Sequence, residues 1–331
     1  MRIFVAGGTG AVGRQLVPQL IARGHEVTAI SRAPDKLALL EKLGARAVVC
    51  DVFDRERLMA VVAAARPETI VNQLTELPQE MNPRALRDVY RRNDRVRREG
   101  TTNLLDAAHA ASVGRFVAQS AGFWYKPEGD TLKTESDPLW TDAPEPIGAA
   151  VRTIVDMETA VLGQAPIGVL LRYAGFYGPG TWLAADGMLG IRVKRGRYPI
   201  IGDGRAVSSF IHVADAASAA AAALEANASA VYNVADNEPA PANVWMPEYA
   251  KAIGGSPPKR VPAFLARLML GKPFTAFLTS SHGISNDKIK RELAWRPKYG
   301  TWRDGFAFSE SKPAARPGGS RVARPIPPRE S

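Results

Sequence analysis

The 331-residue chain predicts an α/β fold: a doubly wound parallel sheet followed by a smaller C-terminal domain. Three observations carry this expectation. β-rich runs alternate with helical stretches over residues 1–175. The runs are apolar along their length, as strands buried on both faces require. The first run also ends in a glycine cluster that opens a helix.

The elements follow in order. RIFVAG is the first strand and AVGRQLVPQLIARG the helix after it. HEVTAIS and ARAVVCD are the second and third strands, separated by helical PDKLALLEKLG. RERLMAVVAAA is helical, and ETIVNQL is the fourth strand. An Arg-rich helix running to NLLDAAHAAS precedes the fifth strand, GRFVAQS; IGVLLRYAG, residues 167–175, is the sixth. From residue 176 onward turns, one helix and short strands mix. DAASAAAAALEA is then helical, SAVYNVAD reads as a strand able to rejoin the sheet, and Pro-punctuated helices run to about Phe308. The expected organisation is a nucleotide-binding domain over 1–175, rejoined by a segment near 210–235. An interleaved substrate-binding cap covers 176–308, and a disordered basic tail covers 309–331.

Bulk properties exclude several classes. At 46% hydrophobic and 23% charged residues, the composition is that of a soluble globular protein. No apolar run matches a membrane span, and a strand starting at Arg2 leaves no place for a signal peptide. The single cysteine, Cys50, fits a reducing compartment, so a cytoplasmic location without membrane partners is expected. The net charge of +10 is concentrated in two places. The last 22 residues hold five Lys/Arg against two Glu, and 84–98 is an Arg-rich stretch interleaved with acids. Neither has the aromatic-basic character of a nucleic-acid surface, so no nucleic-acid partner is expected. Four scattered histidines predict no metal. The expected partner is a small-molecule substrate, and the chain a monomer or homodimer.

The glycine cluster VAGGTGAVGR spaces Gly7, Gly10 and Gly13 as G-x-x-G-x-x-G between a strand and a helix. Glycines there let backbone amides approach a pyrophosphate, which the helix N-terminus stabilises. Thr9, Ala11 and Val12 complete this cradle. The end of the second strand selects between cofactors. An acid there binds ribose hydroxyls and repels a 2′-phosphate. This chain has Ser31 and Arg32, with Arg14 nearby, which favours NADP(H) and leaves NAD as the alternative. Asp51 and Val52 stand where an adenine edge would lie, although Asp after a strand is also a common turn residue. Leu74, after the fourth strand, is a further cofactor-binding candidate.

Taken together, GGTGAVG, Asp51–Val52, Ser120, LRYAGFYGPG (171–180) and FIHVADAASA (210–219) resemble the extended short-chain dehydrogenase/reductase superfamily, the NAD-dependent epimerase/dehydratase group. The likeness spans roughly residues 1–308. It implies a Rossmann domain binding NAD(P) and a small C-terminal substrate domain. In that family a serine ending the fifth strand orients the substrate oxygen, and a Tyr-x-x-x-Lys pair moves the proton. Ser120 matches the first role. Anchoring on Glu158 places the other two at Ala150 and Ile154, and residues 141–165 contain no Tyr or Lys. The chain therefore resembles the superfamily's atypical members, which keep the cofactor site and vary the catalytic group.

Tyr125 and Tyr173 are the remaining proton-donor candidates, each more readily read as a wall residue than as an acid; Tyr173 also stands where the family contacts the nicotinamide. Arg152 offers only anion stabilisation. Ser208 and Ser209 replace the Arg with which nucleotide-sugar enzymes grip a diphosphate. Trp124, Tyr125, Phe176, Tyr177 and Trp182 favour an apolar or aromatic substrate. His212 reads as a packing or turn residue. The first expectation is an NADP(H)-dependent oxidoreductase of atypical extended type acting on a small apolar or aromatic metabolite. A non-catalytic NADP(H)-binding sensor or scaffold comes second, and a sugar epimerase or dehydratase third. Losing a general acid slows chemistry by about 10²–10⁴-fold without forbidding it.

Overall fold

The structure is a computed structural model that describes residues 1–77 and 86–308. The expected disordered tail, 309–331, lies outside the described residues. Seven strands form the central sheet: β1 (Arg2–Ala6), β2 (Glu26–Ser31), β3 (Arg46–Val49), β4 (Thr69–Asn72), β5 (Arg115–Ala121), β6 (Ile167–Tyr173) and β7 (Ala230–Val234). Their order is β7-β6-β5-β4-β1-β2-β3, and every neighbouring pair is parallel. The order reverses between β1 and β4, which opens a crevice at their carboxyl ends.

The α-helices are α1 (Gly13–Ala22), α2 (Leu37–Lys42), α3 (Arg55–Ala65), α4 (Leu86–Arg95), α5 (Thr101–Ala110), α6 (Ile147–Gln164), α7 (Met188–Lys194), α8 (Val213–Ala222), α9 (Ala242–Ala252), α10 (Ala263–Ser280), α11 (Asp287–Glu292) and α12 (Trp302–Phe308). Successive side chains on each strand alternate between the sheet's two faces. On β1, Ile3 and Val5 join Leu16, Val17 and Leu20 of α1 in one core, whereas Phe4 joins Leu58 of α3 and Leu104 of α5 in the other. Cutting Leu58 to alanine at this fully buried position costs about 2–5 kcal/mol. Helix α8 reaches α1 through a run of small side chains: Ala216, Ala217, Ala219, Ala220 and Ala221 are all buried. A third core is aromatic, built from Tyr177, Phe210, Trp245, Tyr249, Trp302 and Phe306.

The structure refines two expected elements. PDKLALLEKLG divides into a 3₁₀ turn at Pro34–Lys36 and the short α2. The sixth strand stops at Tyr173 because the chain changes partners there. Ala174 N still donates to Val234 O (3.0 Å), but Gly175 N donates to Ser209 O (3.0 Å). Gly175–Tyr177 then pairs in parallel with Phe210–His212, outside the main sheet. SAVYNVAD rejoins the sheet as β7, beside β6.

Candidate cofactor and active site

The glycine turn after β1 leaves no room for side chains at two positions. Gly7 has φ +92°, and a Cβ on it would stand 2.6 Å from the carbonyl of Gln73, at the end of β4. A Cβ on Gly13 would stand 2.2 Å from Gly7 O. Gly10 N donates to Gly7 O (3.0 Å) and Arg14 N to Gly10 O (3.0 Å), closing the turn. Helix α1 starts here with no capping side chain and no acid in its first turn. Arg14 N and Gln15 N are already bonded to Gly10 O and Val12 O, so an anion would be met by the amides of the turn itself, at residues 11–13. This cradle fits a dinucleotide pyrophosphate.

The adenosine-end candidates sit at the carboxyl ends of β2 and β3. Ser31 Oγ accepts from Ala33 N (3.2 Å). The Arg32 side chain is 59% exposed and reaches Glu76, after β4, at only 3.4 Å. Such an exposed pair is weak, and a phosphate competes well for its guanidinium. Arg14 Nε donates to Thr9 O (2.8 Å), which braces the turn. Asp51 Oδ1 accepts from Phe53 N (3.0 Å), and Val52 O accepts from Asn103 Nδ2 (2.9 Å). Leu74 N donates to Asn72 Oδ1 (3.1 Å), fixing the chain as it leaves β4.

A transverse polar row crosses the other half of the sheet. Ser120 on β5, Arg172 on β6 and Asn233 on β7 are register neighbours. Ser120 Oγ donates to Glu158 Oε1 (2.6 Å) on α6, and Arg172 grips the same carboxylate through Nε (2.9 Å) and Nη2 (2.6 Å). Arg172 Nη1 donates to the Tyr125 hydroxyl (2.9 Å), which donates to Asn233 Oδ1 (2.7 Å). All five residues are buried. Burial opposes the charge on Arg172, but its bonds to Glu158 and Tyr125 hold its pKa above the ordinary arginine value. Burial pushes the Tyr125 phenol up to about 12 despite Arg172 beside it.

Tyr173, one residue on from Arg172, points to the opposite face. Its hydroxyl donates to Ala216 O (3.2 Å) and accepts from Gln73 Nε2 (3.3 Å). Burial raises this phenol well above its usual range. Gln73, whose backbone lies against Gly7, keeps its side-chain Oε1 buried and without a hydrogen-bond partner among the described residues. Thus Ser120 and Tyr125 share one buried network, while Tyr173 belongs to another beside the cofactor cradle. On α6, Ala150 and Ile154 are both buried and carry no proton-transferring group.

The aromatic candidates divide. Trp124 packs against Phe277 of α10 (ring centroids 5.0 Å) and against Phe123 (5.0 Å), which is 41% exposed after β5. Phe176 meets Tyr173 at 5.2 Å, and Trp182 is half-buried. Tyr177, expected to face a pocket, turns instead into the third core. Its ring meets Phe306 at 5.2 Å and leaves no space for a Cβ on Gly305. His212 Nδ1 accepts from Ala214 N (3.1 Å), capping α8, and burial depresses its pKa to about 4. Arg152 is tied to Glu145 (2.6 Å) at the surface. Among the described residues no group of three His, Cys, Asp or Glu is placed to hold a metal.

Sequence reasoning missed Arg172, Asn233, Gln73 and Phe123 and used Glu158 only as an anchor. The first two had a visible signal: a polar residue inside the apolar runs VLLRYAG and AVYNVAD. A buried polar side chain there needs a partner.

The sequence model of the NAD dependent epimerase/dehydratase family matches residues 3–235. The chain belongs to that family. A nicotinamide dinucleotide is therefore its class of cofactor, and the chain stands among the family's NAD(P)-dependent reductases and epimerases. Among similar family proteins, 3-diazoavenalumate denitrifying reductase from a Streptomyces species is 44% identical over 92% of this chain and 99% of its own. The 2-alkyl-3-oxoalkanoate reductase of Stenotrophomonas maltophilia is 26% identical over 90% and 95%. The UDP-glucose 4-epimerase of Thermotoga maritima, solved with UDP-glucose, superposes with a TM-score of 0.74 at 21% identity, over 93% of this chain and 97% of that one. A human epimerase family protein solved with NADPH gives 0.70 at 21% identity, over 93% and 98%. These last two share the fold. No helix among the described residues is long and apolar enough to cross a membrane.

Proposed function

We propose that this protein is an NADPH-dependent reductase that removes a diazo group from a small aromatic acid, replacing it with hydrogen and releasing dinitrogen. The observation that supports this reading is an intact glycine turn in a chain whose residues 141–165 hold no Tyr or Lys; counted from Glu158, Ala150 and Ile154 fall where the family's proton-transfer pair would stand. Carbonyl reduction needs a proton on oxygen as well as a hydride on carbon. An aryl diazonium needs only the hydride: its electron pair becomes the new C–H bond, and the C–N pair departs with N₂. The acceptor is already a cation, so no acid is required. The 44% identical relative bears the name of such a reductase.

The roles then distribute as follows. Gly7 and Gly13 keep the turn open, while Thr9, Gly10, Ala11 and Val12 line the pyrophosphate. Arg32, with Ser31 and Arg14, takes the 2′-phosphate; Asp51 and Val52 border the adenine. Leu74 and Tyr173 would border the nicotinamide, which when bound would supply the hydride. Phe123, 41% exposed, offers a π-face to a flat, cationic substrate, with Trp124 packed behind it. Ser120 and Tyr125 act as a rigid floor through Glu158 and Arg172 rather than as proton donors.

The test is anaerobic mixing of NADPH with an aryl diazonium carboxylate. Loss of nicotinamide absorbance and N₂ release in equal amounts, well above the protein-free rate, is expected. Consumption of NADPH with carbonyl substrates but not diazo ones would sink the reading. Tight cofactor binding with no turnover on either would return the chain to a non-catalytic sensor or scaffold.

A further inference from the structure

Helix α10 is two half-helices. Gly271 breaks it with φ 81° and ψ 164°, and Pro273 follows. The second half is anchored: Thr275 is buried and Phe277 packs on Trp124. The first half is anchored through Ala266, which is 1% exposed, and turns its large side chains outward. Phe264 is 66% exposed, Leu265 41%, Leu268 81%, Met269 76% and Leu270 37%. Positions 264, 265, 268 and 269 fall on one helical stripe. Scattered exposed apolar residues need no explanation, but a contiguous patch of this kind marks an interaction surface.

Along the chain the charge flanking the stripe has one sign, and the acid beside the start of α10, Asp203 next to the Gly202 that faces Ala263, is paired with Arg205 (3.2 Å). Residues 249–286 contain no Asp or Glu and five Lys/Arg. Lys259, Arg260, Arg267 and Lys272 are exposed, and none forms an ion pair among the described residues. The Val193–Lys194 backbone lies against Gly255, which brings the exposed Lys194, Arg195 and Arg197 to the same border. Within 263–272 no Ser, Thr, Asn, Gln, Asp or Glu interrupts the stripe, so it offers nothing that would set the orientation of a protein partner. Convex apolar side chains ringed by cations match a bilayer interface carrying negative headgroups.

We propose that the first half of α10 docks peripherally on an anionic lipid surface, with Phe264, Leu265, Leu268 and Met269 entering the headgroup region and Lys259, Arg260, Arg267 and Lys272 pairing with lipid phosphates. The surface is separate from the cofactor cradle and does not depend on the reaction proposed above.

The full-length protein is sedimented with vesicles of phosphatidylcholine alone or mixed 7:3 with phosphatidylglycerol, at low and high salt. Partitioning onto the anionic vesicles is expected to exceed that onto the neutral ones by about tenfold or more, and to weaken with salt. The double variant Leu268→Ser/Met269→Ser removes two apolar anchors and lowers partitioning by about tenfold or more. Both substituted residues are exposed, so the variant is expected to keep wild-type thermal stability and NADPH binding. No partitioning at low salt, or equal partitioning by the variant, overturns the proposal. So does a wild-type dimer that the double variant abolishes, because a second copy would then be the occupant.

Discussion

Ser120 Oγ donates to Glu158 Oε1 at 2.6 Å, and Arg172 holds the same carboxylate from the next strand. The hydroxyl expected to polarise a substrate is engaged in a buried ion-pair network beneath the carboxyl ends of the strands. Its loss therefore acts first on stability. Ser120→Ala is expected to cost about 1–3 kcal/mol in urea unfolding, because Glu158 loses a donor in a buried site. Turnover per folded molecule should change little. A hundredfold fall in kcat with unchanged stability would instead put Ser120 on the reacting atoms.

Removing one partner of the pair is harsher than removing both. Glu158→Ala leaves the Arg172 guanidinium buried without its carboxylate, and about 3–5 kcal/mol of stability should be lost. Adding Arg172→Met to Glu158→Leu removes both charges and is expected to recover most of that loss. Destabilisation by the double variant equal to the sum of Glu158→Leu and Arg172→Met measured singly would show that the pair carries no coupling.

The cofactor cradle makes a steric prediction. A methyl group at Gly13 would overlap Gly7 O, and one at Gly7 would overlap the Gln73 backbone. Gly7→Ala must move the chain leaving β4 away from the glycine turn, Gly13→Ala must open the turn itself, and in either variant calorimetric binding of NADPH should weaken by at least about a hundredfold. Undiminished binding in either variant would remove the turn from the site.

Arg32 sets the expected preference between coenzymes. It stands at the end of β2, and among the described residues its ion-pair partner is Glu76, at 3.4 Å. Arg32→Glu places a carboxylate where the 2′-phosphate would lie, so NADPH affinity should drop by about 10–100-fold while NADH affinity holds or rises. If the two coenzymes weaken in parallel, Arg32 does not read the phosphate.

The sheet was legible because its strands are local apolar runs, and even the return of β7 showed in SAVYNVAD. The glycine turn was legible because its chemistry is written in consecutive residues. The polar row was not. Ser120, Arg172 and Asn233 lie 52 and 61 residues apart in the chain (120 to 172, 172 to 233) and meet only through strand register. Tyr177 was misplaced for a similar reason. Its neighbour Phe306 arrives from the far end of the chain, which no local pattern announces.

Two buried groups predict how stability follows pH. Burial lowers His212 from 6.5 to about 4, with Lys298 adding to the effect, and its Nδ1 must stay unprotonated to cap α8. Its folded pKa is depressed, so its contribution is complete above about pH 6.5 and is lost as pH falls through about 4. Burial raises Asp236 from 3.8 to about 8, and among the described residues its Oδ2 has no hydrogen-bond partner. Its contribution is complete below about pH 3.8 and is lost as pH rises through about 8. Between pH 4 and 6.5 the two slopes, each about 1.4 kcal/mol per pH unit, oppose and nearly cancel. From 6.5 to 8 only the Asp236 slope remains, and stability declines. Asp236→Asn removes it. The variant's melting temperature should rise from pH 4 to 6.5 and then level, so its advantage over wild type grows with pH. Parallel melting curves for the two proteins from pH 4.5 to 8.5 would mean that Asp236 is ionised in the folded protein at neutral pH, and that Oδ2 has water or a cation beside it.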